Sequence, residues 1–579
     1  MIKNGTRDLP WRGGLLIILL TILVFSPSLG SGFVNWDDNQ LLKNTGWRGC
    51  RPDNIAWWFT SMVNGDYKPL VWASYNFDYL FWSFNPAGYH LSNVLIHALN
   101  AWLVFLILLK LGGGRNIKGS VLGAVFFSIH PLRIESVAWI AERKDVLLVF
   151  FYLTSIIFYL NYALSFAGNL SSGPKDRRHG TVNYIISLLF ALMSCLVKPM
   201  AVSLPAVLLL IDCLLVKRRE QSYSFLVIEK LPYCVFALFT AAVALVAQNK
   251  FGSLASFADI GFGVRLYLWT RTAFFYLGKI ILPVNLWPLY QGVVFDRVSV
   301  FFLLLNIIGL ITIMAWMMYL RRRGKDWPLF AYLFYLITLF PASGFFPTGA
   351  TYIADRFTYL PSLGISLAIC YAYSGINYFK SRFAWLVGWC GLLALSLLTI
   401  EQEQVWENSL NLWRRALKSQ PGSSIANELM GNAFHRMGKN AEAIKFHHRA
   451  VRAKPDDPDR YNNLAIVLAD EGELDAAIYY YRQALKIKPN HLEALNNLGN
   501  ALVEQGKLEE ALDCYAGANR INPYFAGAYY NSGVVLFRQG KYVQAIEFFS
   551  RALELNPGFE NARSYLERAR QRAVEPDGS

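Results

Sequence analysis

Charge is what this sequence has least of. Only 16% of its 579 residues are Asp, Glu, Lys or Arg, against about 25% in typical soluble domains. With 54% hydrophobic and 15% aromatic residues, that scarcity excludes an ordinary soluble chain and points to a membrane protein. Cysteine is scarce as well. Cys50, Cys195, Cys213, Cys234, Cys370, Cys390 and Cys514 are scattered, odd in number and without metal-ligand spacing. Neither a zinc site nor a disulfide framework is supported. Acidic residues are short in one part only. From Glu401 onward 22 Lys/Arg face 23 Asp/Glu, so the first 400 residues hold 33 against 17 of the net charge of +15. The excess sits in short loops between apolar runs, where it reads as a topology signal and not as a nucleic-acid footprint.

Uncharged runs fall at 13–36, 79–109, 119–132, 146–174, 179–197, 199–211, 231–249, 298–320, 327–354, 357–379 and 383–400. Basic loops at Lys110/Arg115/Lys118, Lys175/Arg177/Arg178 and Lys217/Arg218/Arg219 mark the cytoplasmic side. Consecutive cytoplasmic loops need an even number of crossings between them, so the two short runs, 119–132 and 199–211, are counted as spans. Val264–Leu282 carries Arg265, Arg271 and Lys279. Counting it would place Arg321, Arg322 and Arg323 outside, so it reads as an interfacial or re-entrant helix. The first run also has the flanks of a signal peptide, but it is charge-free from Gly13 to Trp36 and long enough to span. The expectation is an all-α multi-pass cell (inner) membrane protein with about eleven spans, a cytoplasmic N-terminus and an extracytoplasmic C-terminus. The longer, chemically mixed loops then face outward.

Residues 401–579 read differently. Proline recurs every 34 residues from Pro421 to Pro557. Glycine recurs at Gly438, Gly472, Gly506 and Gly540, and alanine at Ala443, Ala477, Ala511 and Ala545 and again at Ala450, Ala484, Ala518 and Ala552. This is the tetratricopeptide pattern, an α-solenoid of helix pairs. Four full repeats start near Ser424, Pro458, Leu492 and Ala526, with an incomplete leading unit at 401–420 and a capping helix at 558–573. Domains of 1–400 and 401–579 follow. Asn463, Asn497 and Asn531 recur on one helix face. They are either the common residue at this position or a ladder gripping an extended acceptor peptide, similar to the ladder in the soluble O-linked N-acetylglucosamine transferase.

The chemistry gathers in the outer loops. Asp37 and Asp38 stand side by side just past the first span. Carboxylates there are costly unless paired, metal-bound or wet. The pair suits a general base, a divalent cation such as Mg or Mn, or simply a solvated loop. The loop from His130 to Asp145 holds Arg133, Glu135, Glu142, Arg143 and Lys144, against the positive-inside trend. Its cations either clamp a phosphate or pair with their acidic neighbours. Lys68, Lys198 and Arg356 add further outer cations. His90 and His97, seven apart, read as helix-packing or headgroup contacts.

On these residues the chain resembles the transmembrane and tetratricopeptide-repeat-containing proteins and their bacterial relatives. The resemblance rests on Asp37-Asp38, Lys68-Pro69-Leu70 with the aromatic helix after it, His130-Pro131 through Lys144-Asp145, Ala354 to Ser362, and the repeats. It implies a type C (GT-C) glycosyltransferase using a polyprenyl-phosphate-linked sugar; eukaryotic members are O-mannosyltransferases of the secretory pathway. Asp37 or Asp38 would be the catalytic base of an inverting transfer. Arg133, Arg143, Lys144, Lys198 and Arg356 would hold the donor phosphate, supported by Lys68, His130, Glu135 and Glu142. The repeats would bind a protein acceptor. Two rivals are weaker. A membrane-anchored scaffold needs one span, not eleven, and a transporter is expected to carry mid-membrane charges and repeated halves.

Overall fold

In a bilayer every backbone polar group must be satisfied within its own segment, which leaves helices as the spanning element for such apolar runs. The computed structural model describes residues 8–112, 114, 116–167, 174–216, 218, 221–251, 260–290, 299–346, 352–375 and 382–574. Among them the chain is all-helical, with no named strand. Arg115, Lys217 and Arg219 of the basic loops, and the stretches 252–259, 291–298 and 347–351 of the loops expected to face outward, lie outside the described residues. Two compact units divide at Arg415/Ala416. The division falls after the 400/401 boundary expected from hydropathy, because Trp406 and Trp413 bury their rings within the first unit.

In the first unit, each of the eleven uncharged runs carries a helix. Among the described residues six are long and apolar enough to cross a membrane: Trp11–Gly30, Pro86–Leu111, Ile140–Ser165, Pro199–Val216, Leu231–Lys250 and Val300–Arg322. The short run at 119–132 becomes Ile117–Ile129, which bends by 55° into Pro131–Ala138 and makes a seventh span if the pair counts as one. His130 sets that bend. Its Nδ1 accepts from the Leu132 amide at 3.2 Å, so Nε2 carries the proton and donates to the Ile280 carbonyl at 2.9 Å. Trp327–Ala342 and Ser362–Tyr373 are apolar but shorter. Val264–Leu282 forms the helix Phe262–Ile281, where Lys279 donates to the carbonyls of Val284 and Asn285.

Small residues bring the helices close. Gly119 and Gly123, one turn apart, let Ile117–Ile129 lie against Ser362–Gly375. An added Cβ would stand 2.5 Å from the Cys370 carbonyl oxygen at the first and 2.5 Å from the Ser366 carbonyl oxygen at the second. The Asn116 side chain caps this helix through the Gly119 amide and donates to the Cys370 carbonyl at 2.7 Å. Such close approach is the usual basis of helix association where lipid removes the hydrophobic drive. The histidines are packing residues: His97 sits between the Tyr359 hydroxyl (2.5 Å) and the Ser128 carbonyl (2.9 Å). Near the far end of the Arg143–Ala167 helix, about 24 Å from Arg143 at about 1.5 Å per residue, Tyr159 joins a buried knot. Its partners are Asp212, Arg218, Glu229 and Lys230.

The second unit is a regular array. First helices of the pairs begin at Ser424, Pro458, Leu492 and Ala526; second helices run Asn440–Ala453, Leu474–Ile487, Leu508–Ile521 and Tyr542–Leu555; Glu560–Val574 closes the series. The turn within each pair needs a residue in the left-handed region, supplied by Gly438, Gly472, Gly506 and Gly540 at φ of 70–82°. The recurring alanines of the second helices are fully buried. The packing of the first unit yields a test. Gly123→Val should lower stability by about 1–3 kcal/mol through overpacking, read as a lower melting temperature in detergent. Gly263→Ala, with open space at its Cβ, should leave it unchanged.

Candidate active site

The loop after the first span is fixed by one of its own carboxylates. Asp38 begins the short helix Asp38–Lys43 and is buried. Its Oδ2 accepts from the Val34 amide at 2.9 Å and its Oδ1 from the Ala141 amide at 2.9 Å. The side chain thus folds its own loop and docks it on the segment around Trp139–Glu142. Burial pushes the Asp38 carboxyl up to about 7, against the pull of the Val34 and Ala141 amides and with a further push from Asp37. Asp37 differs. It is half-buried, its Oδ1 accepts from Gln40 Nε2 at 3.2 Å, and its charge acts on the Lys144 ammonium. The adjacent acids therefore divide into a buried brace and an accessible carboxylate.

Four cations and four carboxylates from four separate segments meet beside this loop. Glu142 is the hub: Oε1 lies 3.4 Å from Lys144 Nζ and 3.3 Å from Arg356 Nε, and Oε2 lies 3.7 Å from Lys198 Nζ. Lys198 also pairs with Asp145 at 2.5 Å, and Arg356 with Glu135, whose Oε2 accepts from the Arg356 amide at 2.9 Å. Asp66 binds Lys68 and Lys144 at 3.2 Å each. Burial alone would raise the Asp66 carboxyl; Lys144 and Lys68 outweigh it and hold the group well below the ordinary range. Asp355 takes the opposite course, pushed up by burial and by the charge of Glu135. The side chains of Lys144, Lys198 and Arg356 remain 14%, 15% and 11% exposed, whereas Glu142 is at 1%. Three cations thus stand over a carboxylate floor and keep an open side, an arrangement suited to a phosphate.

Arg133 and Arg143, expected in the same clamp, are placed elsewhere. Arg143 is fully buried, pairs with Asp78, donates to Asn93 Oδ1 and the Tyr89 carbonyl at 2.7 Å each, and stacks 4.8 Å from the Tyr75 ring centroid. Its donors brace helices and are spent. Arg133 is buried between the rings of Phe127 and Tyr359, 5.3 and 5.2 Å from their centroids, and donates to Thr358 Oγ1 at 3.4 Å. His130 acts through the bend it staples. The expected cation site also fits poorly. Both Asp38 oxygens are taken by amides, and among the described residues no group of three or more His, Cys, Asp or Glu could hold a metal. Asp66 and the tryptophans 36, 139, 406 and 413 were not anticipated. The sequence signal for Asp66 is its place two residues before Lys68. Trp36 stacks on Trp139 at 4.6 Å, and Trp139 on Trp406 at 5.2 Å.

In the second unit the recurrent asparagines link repeats. Asn463 donates to Glu428 at 2.5 Å, Asn497 to Asn462 at 3.2 Å, and Asn531 to Asn496 at 2.9 Å and Asn500 at 3.1 Å. Each donates to the first helix of the preceding repeat, so the three amides form a row across consecutive first helices.

These features define a multi-pass membrane protein with a charged loop cluster and a tetratricopeptide-repeat array. Family models described as Tetratricopeptide repeat match residues 393–458, 458–518 and 526–559, and one described as TPR repeat matches 499–540. The chain's homologues are protein O-mannosyl-transferases. It is 24% identical to Protein O-mannosyl-transferase TMTC3 of Homo sapiens over 78% of this chain and 52% of that protein. It is 31% identical to Protein O-mannosyl-transferase Tmtc1 of Drosophila melanogaster over 35% of this chain and 23% of that protein. The chain thus spans about half the length of curated relatives it matches, 52% and 53% of TMTC3 of Homo sapiens and of Mus musculus. Among solved structures, that of YrrB, a TPR protein with an unusual peptide-binding site, is 24% identical over 31% of this chain and 91% of that chain, with a TM-score of 0.26.

Two outcomes test this geometry. The folded-state value of Asp38 lies above the ordinary 3.8, so between 3.8 and about 7 the folded protein holds the proton more tightly than the unfolded chain. The contribution of Asp38 to stability is therefore full below that window and declines as pH rises through it. Subtracting the melting curve of Asp38→Asn from that of the wild type should expose this slope; a flat difference overturns the assignment. Glu142→Gln leaves three cations without their shared counter-charge and should cost about 3–5 kcal/mol, measured by thermal unfolding in detergent.

Proposed function

We propose that this chain is a membrane glycosyltransferase. It moves a sugar from a polyprenyl-phosphate donor to a Ser or Thr hydroxyl of a polypeptide on the extracytoplasmic face. The observation that carries this reading is the trio of partly exposed cations Lys144, Lys198 and Arg356 over the buried Glu142, with the half-buried Asp37 near enough for its charge to act on Lys144. The named activity of the homologues supports it.

In the proposed reaction Asp37 takes the proton of the acceptor hydroxyl. The oxygen attacks the anomeric carbon from the side opposite the phosphate and forms the new glycosidic bond with inversion. The bond from that carbon to the phosphate oxygen breaks, and its electron pair leaves with the lipid phosphate. Lys144, Lys198 and Arg356 stabilise the growing charge, which counts for most where water is excluded. Asp38 keeps Asp37 aimed by docking the loop. The amide line of Asn463, Asn497 and Asn531 serves an extended acceptor through groups the inter-repeat bonds leave over. GT-C membership, polyprenyl donor and outward orientation all belong to this proposal.

Purified protein should release free lipid phosphate from a labelled polyprenyl-phosphate sugar only when a protein acceptor is present. Asp37→Asn should lower kcat by about 10²–10⁴-fold without changing the melting temperature. Lys144→Ala, Lys198→Ala and Arg356→Ala should each raise the donor KM. Full activity in Asp37→Asn, or vectorial movement of the donor without turnover, overturns the proposal.

A further inference from the structure

The acid loop is held from a second direction, by the last residues of the first unit. The Trp413 ring is fully buried, and its Nε1 donates to Asn35 Oδ1 at 2.6 Å. The Asn35 amide donates to Ser409 Oγ at 2.9 Å, and the Gly32 amide donates to the Glu407 carbonyl at 2.9 Å. Trp36, between Asn35 and Asp37, lies with its ring 5.1 Å from that of Trp413 and 4.6 Å from that of Trp139. Ser409 and Trp413 lie more than 370 residues from Asn35 in sequence. The loop from Gly32 to Asp38 forms no regular element before the helix that begins at Asp38, so its geometry comes from such contacts.

We propose that Trp413 and Ser409 are positioning residues for Asp37. Through Asn35 they fix the backbone on the near side of the carboxylate, while Asp38 fixes it on the far side through Ala141. The base then sits between two anchors with its direction set before substrate arrives. A buried indole N–H donates to a buried amide oxygen here, so removing the indole N–H costs a buried hydrogen bond. This inference rests on the reading of Asp37 as the base, but the anchoring itself is measurable without it. Trp413 and Ser409 act on the loop through Asn35, whereas the cation trio stands on Glu142, so donor binding is separable from the aim of the base.

The test uses the full-length protein in detergent with Trp413→Phe, Ser409→Ala, Asn35→Ala and the Asn35→Ala/Trp413→Phe double variant. Hydrogen exchange of the Gly32–Asp38 amides should speed up in each single variant, and the double variant should be no faster than Asn35→Ala. With a labelled polyprenyl-phosphate sugar and acceptor, kcat should fall by about 10–100-fold, as expected for a displaced catalytic group. Donor KM should stay within about twofold, a split that general loss of structure does not produce. Ser409→Thr, which keeps the hydroxyl, should rescue both readouts. Unchanged exchange in Trp413→Phe and Ser409→Ala overturns the anchoring; faster exchange with an unchanged kcat overturns the positioning role. If the wild type transfers no sugar while the exchange pattern holds, the anchor stands and the glycosyltransferase reading falls.

Discussion

One buried carboxylate organises the loop cluster. Glu142 is cut off from water, and an ion of its size carries a desolvation penalty of several kcal/mol that only close partners offset. Lys144, Lys198 and Arg356 supply them, each from a different stretch of chain. The same carboxylate solves the reverse problem, since three cations so close would otherwise repel one another. Four positive and four negative groups leave the cluster balanced. The balance lets cations that suit a phosphate persist in a low-dielectric setting before any phosphate arrives.

Balance alone does not place a base. That depends on how two chain segments meet. The bend stapled by His130 turns the Ile117–Ile129 helix into the segment leading to Trp139 and Ala141. The Ala141 amide is then offered to Asp38, and the Trp139 face to Trp36. Backbone donors are the least mobile hydrogen-bond donors a protein has, so a carboxylate bound by two of them is held more firmly than one bound by lysines. The two aspartates do opposite work for that reason. Asp38 gives up solvent for position; Asp37, half-buried and within electrostatic reach of Lys144, stays partly exposed.

The repeats were legible because their information is local and periodic. A proline, a glycine and two alanines every 34 residues specify turn, break and contact, and the helices begin at Ser424, Pro458, Leu492 and Ala526 as that spacing requires. The eleven apolar runs are legible as helices for a similar reason. Their number as spans is not, because the Ile117–Ile129 run bends and the Trp327 and Ser362 helices are short. Lys144, Lys198 and Arg356 stood out as outer cations. Arg143 carried the same signal for a different purpose, since its partner Asp78 lies on the aromatic Pro69–Trp82 helix and nothing in the sequence links the two. Charge type can be read from sequence; the partner that consumes the charge comes from the fold.

The tryptophans show the same limit and say something about architecture. Hydropathy ends the membrane part near residue 400, where the apolar run stops. The residues just beyond, Trp406, Glu407, Ser409 and Trp413, are those that grip the loop of Asp37. A boundary drawn by solvent preference therefore cuts through a boundary drawn by contacts. The polar stretch after the last run is not a passive linker, because it supplies an acceptor for a buried amide and a donor for a buried asparagine. A chain that needed only to tether its repeats could use any flexible sequence there. One that must hold a short, polar, glycine-containing loop in a single geometry needs partners on both sides of it, and those two stretches, far apart in sequence, supply them together with Ala141.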